Sequence, residues 1–202
     1  NINGYGVTYG NDIFVAVGSS SVMTSPDGIA WTSRASAAKN FWNSVTYGNR
    51  IFVAVSTSRN GNRVMTSPDG IVWTSQTPAA NNTWYSVTYG NGIFVAVSTS
   101  GNDNRVMTSP DGIVWTSQTS AANIDWYGVT YGDGFFVAVG YSWSGIGNLV
   151  MTSPDGIEWT SRAAAAISGT VVGVTYGNGI FVAVSIAVSG SGTDNHVMTW
   201  AP

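Results

Sequence analysis

"VMTSPDGIVWTSQT" runs from Val64 to Thr77 and returns letter for letter from Val106 to Thr119. Its core, "VMTSPDGI", also begins at Val22 and Val150. A fifth copy begins at Val197 but reads "VMTWAP". A second word, "VTYG", begins at Val7, Val45, Val87, Val129 and Val174, at intervals of 38, 42, 42 and 45 residues. The 202-residue chain is therefore five units of about 42 residues. A period near 40–45 residues made of several strands is that of a propeller blade.

Each unit reads as four short strands. In the third unit these are Trp84 to Gly90, Gly92 to Ser100, Asn104 to Ser109 and Ile113 to Gln118. Val, Ile, Phe, Tyr, Thr and Trp dominate them, as half-buried pleated surfaces favour. No segment carries the 3.6-residue apolar spacing of a helix. "YGNG" or "YGDG" joins the first two strands, with residues that tolerate positive φ. Ser-Pro-Asp-Gly joins the last two: Pro pre-sets φ, Asp bonds nearby N–H groups and Gly accepts positive φ. In the fourth strand Ile and Trp stand two residues apart, which predicts an inward Ile/Trp face; Glu158 between Ile157 and Trp159 marks the outward one.

A lone four-stranded sheet cannot bury both faces, whereas blades packed radially cover one another. The expected fold is all-β: a single five-bladed propeller over residues 1–202, of four-stranded antiparallel blades. The blades span about 1–38, 39–80, 81–122, 123–167 and 168–202. The fifth is expected to lack its outer strand, because "VMTWAP" replaces the Ser-Pro-Asp-Gly turn.

Ser-x-Asp-Gly-x-x-Trp after a strand resembles a compact form of the Asp-box of sialidase-like and related β-propellers. It recurs in all four complete units, with one residue fewer between Asp and Gly than the family pattern. The resemblance implies that Asp27, Asp69, Asp111 and Asp155 belong to structural turns between outer strands, away from any active site. It implies a fold rather than an activity.

Composition narrows the function. Charged residues make up 8% of the chain, with 7 Lys and Arg against 10 Asp and Glu, far below the roughly 25% of an ordinary soluble domain. Without a basic footprint, nucleic acid is not an expected partner. No apolar run nears the ~20 residues of a membrane helix. There is no cysteine, so no disulfide, thiol chemistry or Cys-held metal arises. His196, the single histidine, has no second His or Cys with which to form a dyad or a zinc site. The repeated Asp set lacks the alternating acidic ligands of a calcium loop. Arg34, Arg50, Arg59, Arg63, Arg105 and Arg162 match no sialidase signature, and no carboxylate pair for glycoside hydrolysis is assignable. No enzyme activity, cofactor or metal is expected. The Ser/Thr/Asn/Gly-rich surface and the absence of a leader before the first strand point to a mature or excised extracellular or cell-surface segment. Asn81 heads a glycosylation sequon with Asn82 and Thr83.

Turns at one end of each unit are nearly invariant, whereas the connections at the other vary. Second-to-third-strand loops grow from Ser19–Ser21 to Ile186–Asn195. Loops on a rigid scaffold carry function, so a site is expected at this variable end. Trp42, Trp84 and Trp126 recur there, and Trp143 lies in the fourth loop. They read either as packing at blade junctions or as a platform for a sugar ring. Two functions follow. The first is a non-catalytic recognition or adhesion module for a glycan or cell-surface protein. The second is a self-assembling homo-oligomer or filament subunit, in which the open edge at Val197, Met198, Thr199 and Trp200 receives a strand from another chain. A glycosidase is the weakest reading.

Overall fold

The computed structural model describes residues 4–58, 61–142, 148–163, 170–186 and 196–200. Those residues form five antiparallel sheets in chain order, and no helix. The first blade holds β1 (Gly4–Gly10), β2 (Ile13–Gly18), β3 (Ser21–Ser25) and β4 (Thr32–Arg34). The second holds β5 (Trp42–Gly48), β6 (Ile51–Ser56), β7 (Val64–Ser67) and β8 (Thr74–Gln76). The third holds β9 (Trp84–Gly90), β10 (Ile93–Ser98), β11 (Val106–Ser109) and β12 (Thr116–Gln118). The fourth holds β13 (Asp125–Gly132), β14 (Phe135–Tyr141), β15 (Val150–Ser153) and β16 (Thr160–Arg162). The fifth has three strands, β17 (Thr170–Gly177), β18 (Ile180–Ile186) and β19 (Val197–Trp200).

The strands follow from local chemistry. At the β9–β10 hairpin Asn91 and Gly92 take φ of 47° and 81°. Two successive positive φ values match the right-handed twist of the flanking strands. Asp111 closes the β11–β12 turn: its Oδ1 accepts from the Ile113 and Val114 amides at 2.8 and 2.9 Å and from the Ser109 hydroxyl at 3.0 Å. The Ser109 Oγ accepts from the Gly112 amide at 2.8 Å, and the Trp115 indole donates to the Gly112 carbonyl at 2.9 Å. Asp27, Asp69 and Asp155 repeat the arrangement. One expectation needs correction. The Ile of this segment does not face inward: Ile71, Ile113 and Ile157 are 43–47% exposed. The backbone is still wrapped around the Asp carboxylate there, and the fourth strand begins only after Trp115. Only the tryptophan reaches the core.

The core consists of four seams between blades. In the first, Val15, Val17 and Val22 pack against Trp42, Val45, Phe52, Met65 and Trp73 of the next blade. The second and third seams repeat this list at the matching positions. In the fourth, Val171 replaces the seam tryptophan and Trp200 packs at its margin. The first strands of consecutive blades lie side by side along the axis from β1 to β17, whereas β17 and β1 are not packed together in this way. Glycines set the approach. A Cβ on Gly10, Gly48, Gly90 or Gly132 would fall 2.0–2.1 Å from Cγ of Tyr47, Tyr89, Tyr131 or Tyr176 in the next blade. No side chain fits there.

In the fifth blade Trp200 pairs with Phe181 across β18 and β19, and the two rings stack at 5.5 Å and 18°. Elsewhere the outer-turn tryptophan meets this phenylalanine, as Trp73 meets Phe52 at 6.4 Å. Trp200 thus covers the phenylalanine without an outer strand.

Gly90→Ala should destabilise the chain by about 3 kcal/mol or more, because overpacking a rigid seam forces the tyrosine out. Gly177→Ala, with nothing within 4 Å of its Cβ position in the same chain, should leave the midpoint of thermal unfolding unchanged when measured on the dilute monomer. Acid gives a second test. Backbone N–H groups of Val114 and then Ile113 hold the Asp111 carboxyl below its ordinary 3.8. A lowered native value means stability that is complete above 3.8 and lost as pH falls below it toward the native value. Asp111→Ala should cost about 1–2 kcal/mol near neutral pH and flatten the loss of stability below pH 4, read by urea unfolding across pH.

Candidate recognition site at the variable end

Three of the four expected platform tryptophans, Trp42, Trp84 and Trp126, present no ring face to a ligand. Trp42, Trp84 and Trp126 are 0% exposed. Each indole donates to a carbonyl of the loop before it, Ala38, Ala80 or Ala122, at 3.1–3.2 Å. Both ring faces and the N–H are used in packing, so no face remains for a ligand. Trp143 and Arg59 lie outside the described residues. Asn81 is exposed.

The arginines are dispersed, and two of them tie loops together. Arg105 Nη1 meets Asp125 Oδ1 at 2.7 Å and also donates to the Ile124 carbonyl at 2.9 Å; Arg105 Nε donates to Asn123 Oδ1 at 2.7 Å. Arg63, buried, donates through Nη1 to the Asn82 carbonyl, while its Nε lacks a hydrogen-bond partner. Each therefore anchors the segment leading into the next blade. Arg34 and Arg162 donate to Thr24 and Thr152 hydroxyls, where other blades use Gln76 and Gln118. His196 is exposed, 3.3 Å from the Ser185 hydroxyl. Among the described residues no three His, Cys, Asp or Glu side chains are grouped as metal ligands.

Register reveals a set of positions that the sequence reading missed. In every first strand the pairing slips by one residue near its start. Trp84 pairs with Ser98 and Ser86 with Val97, which leaves Tyr85 unpaired between them. The same slip isolates Tyr5, Asn43, Tyr127 and Val172. A β-bulge re-aims one side chain without disturbing the strand beyond it. These five residues therefore form an open arc of bulges at the variable end of the strands that line the axis. The residue is Tyr in three blades, Asn in one and Val in one, and its neighbours also change, so the available signal was the loss of strict repetition just ahead of the constant "VTYG".

The arc has internal structure. Tyr85 and Tyr127 meet edge to face, with centroids 4.8 Å apart at 81°. The Asn43 amide donates to the Tyr85 carbonyl at 2.9 Å. The Tyr5 hydroxyl lies 3.4 Å from the Ser19 hydroxyl. Burial first, then the Asp125 carboxylate, with Tyr85 and Tyr141 adding less, holds the Tyr127 phenol above its ordinary value of 10.0. At neutral pH it is a neutral donor and acceptor. At the same end of the blades, Ala38, Lys39, Asn40, Gly61 and Asn62 line an open cleft. The arrangement offers aromatic edges, amides and hydroxyls, and one ion pair, on a rigid base.

No protein-family model matches this sequence, and no curated protein is detectably similar to it. Its likeness to solved structures is clear. Virginiamycin B lyase from Staphylococcus aureus superposes with a TM-score of 0.72 at 13% identity, over 98% of this chain and 69% of that one. YCF48 from Cyanidioschyzon merolae gives 0.62 at 15% identity, over 98% and 71%. The computationally designed Ika8 protein gives 0.63 at 11% identity, over 98% and 58%. The chain thus spans about three fifths to seven tenths of the length of these proteins. At such identities the likeness establishes the fold alone. It is a β-propeller of repeated blades, as the sequence repeats predicted.

The Tyr127 phenol should ionise above its ordinary value of 10.0 in an ultraviolet difference titration read against a Tyr127→Phe chain. Asp125→Asn should lower that value without restoring the ordinary one, because burial, the larger cause, remains. An unshifted Tyr127 in the parent chain would contradict the geometry described.

Proposed function

We infer that this chain is a non-catalytic extracellular or cell-surface recognition module that engages its ligand at the variable end of the propeller. One observation carries this reading: the five bulged residues, Tyr5, Asn43, Tyr85, Tyr127 and Val172, sit at the end of the axis strands where the connecting loops differ in length and sequence from blade to blade. Tyr85 and Tyr127 supply aromatic surface at low conformational cost, and Asn43 with the Arg105–Asp125 pair supplies polar contacts beside it. Aromatic edges set among neutral amides and hydroxyls suit a neutral glycan, or a polar loop of a cell-surface protein. The scarcity of charge favours ligands that are themselves weakly charged.

The constant end has a different task in this reading. The Ser-x-Asp-Gly-x-x-Trp turn is a compact relative of the Asp-box of sialidase-type propellers. Its place between outer strands, opposite the variable loops, supports that relation. Solved neighbours include lyases, and a lyase or glycosidase reading would need a set of catalytic groups. The described part of the variable end presents tyrosines, amides and one ion pair instead.

A glycan array probed with the labelled chain should give hits that Tyr85→Ala and Tyr127→Ala each weaken by at least about tenfold, with unchanged circular dichroism. Trp31→Ala, in the constant turn of the first blade, should leave them intact. Silence across neutral and acidic glycans would remove the glycan ligand, and turnover of any bound glycan would remove the non-catalytic reading.

A further inference from the structure

The four seams are one interface written four times, and the two end blades expose its two halves. On one side of each seam stand a glycine and three valines; on the other stand a valine, a tyrosine, a phenylalanine and a tryptophan. The fifth blade exposes the first half. Its Val184 and Val197 are 44% and 57% exposed, where Val55 and Val64 are fully buried. Nothing lies within 4 Å of a Cβ on Gly177, where Gly48 and Gly90 are sealed by tyrosine rings. The first blade exposes the second half. Val7 and Tyr9 are 63% and 55% exposed, where Val45 and Val87 are buried and Tyr47 and Tyr89 pack into their seams.

The open half is already shaped for its partner. Tyr9 and Phe14 stand 4.7 Å apart at 55°, against 4.6 Å and 50° for Tyr47 and Phe52. Phe14 and Trp31 stand 6.5 Å apart at 55°, against 6.4 Å and 49° for Phe52 and Trp73. The rings hold the seam arrangement without a neighbouring blade to impose it, so little reorganisation opposes docking. Contiguous apolar surface of this kind marks an interaction site.

We propose that a second copy of this chain docks head to tail, the fifth-blade face of one copy forming a fifth seam with the first-blade face of the next. In it Tyr9 lies over Gly177 of the neighbouring copy, and Val7, Phe14 and Trp31 meet Val182, Val184 and Val197. The contact differs from strand addition at β19, because it joins sheet faces and leaves that edge free. It is weaker than an internal seam, since Gly4 takes the strand position of Trp42, Trp84 and Trp126. It is also heterologous: each docked copy keeps one face open, so the series closes only if the rotation permits. Five blades make up 58–71% of the length of the larger propellers. Two copies in series therefore exceed one turn, and the pair either relaxes the step between blades or climbs out of plane. Both products contain the contact. It is independent of ligand binding at the variable end, so a failed glycan screen leaves it standing.

Sedimentation velocity on mixed variants reads the contact directly. Val7→Asp blocks the first-blade face and Val184→Asp the fifth-blade face; both sites are solvent-exposed, so the fold should tolerate them. The unmodified chain should sediment as species above its 21.1 kDa monomer mass, growing with concentration. Each variant alone should be a monomer. Their equimolar mixture should give a one-to-one pair and nothing larger, since each supplies the face the other lacks. An unmodified chain that stays monomeric at high micromolar concentration would overturn the proposal. So would a Val7→Asp chain that still assembles alone, which would point to β19 or to a symmetric contact. Val7→Ser and Val184→Ser provide the same comparison if either aspartate variant fails to fold.

Discussion

A tyrosine ring laid over a glycine Cα fixes the spacing between blades, and the rest of the structure follows from that approach. With any side chain at Gly10, Gly48, Gly90 or Gly132 the rings of Tyr47, Tyr89, Tyr131 and Tyr176 have no place to lie. With glycine there, the axis strands come close enough for Ser44 and Ser86 hydroxyls to accept the Val87 and Val129 amides of the next blade at 3.2 Å. The valines of one sheet then reach the phenylalanine, methionine and tryptophan of the next. Stability is therefore shared between neighbours, as in other repeat proteins, and no blade owns a core of its own.

This division of labour separates the two ends of the molecule. The constant end is occupied by turns closed by their own polar groups, such as Asp111, which holds two amides and a hydroxyl. Asn49 and Asn91 reach from their hairpins to the Pro110 and Pro154 carbonyls of the following blade. Change there would break a seam or a turn. At the other end the bulge sets Tyr85 outside the ladder while Trp84 before it and Val87 beyond it stay buried. A scaffold built this way can alter a surface without altering its packing.

Much of the fold was legible in the sequence because identical repeats demand identical structures. The first strand of the third blade, read as Trp84 to Gly90, has those bounds. The hairpin and Asp turns were legible because positive φ and Asx bonding restrict the residues allowed. Two things were not. Alternation placed Ile113 inward, but alternation applies only once a strand has begun, and the chain around Asp111 is still a hydrogen-bonded turn. The role of Trp84 was left between packing and platform, because neither composition nor spacing says which side of a strand meets a neighbour. The bulge at Tyr85 depends on register, which the seven letters of the strand do not encode. Its only trace was the loss of strict repetition in the letters just ahead of the constant "VTYG".

Hydrogen exchange on a chain carrying both Val7→Asp and Val184→Asp, and thus kept monomeric, is the most direct test that stability resides in the seams. Strands flanked by seams on both faces, β6, β10 and β14, should exchange slowest, and the end strands β1 and β18 markedly faster. Protection of β1 and β18 equal to that of β10 would show that each blade is stable by itself, and would contradict the dependence on neighbours described above.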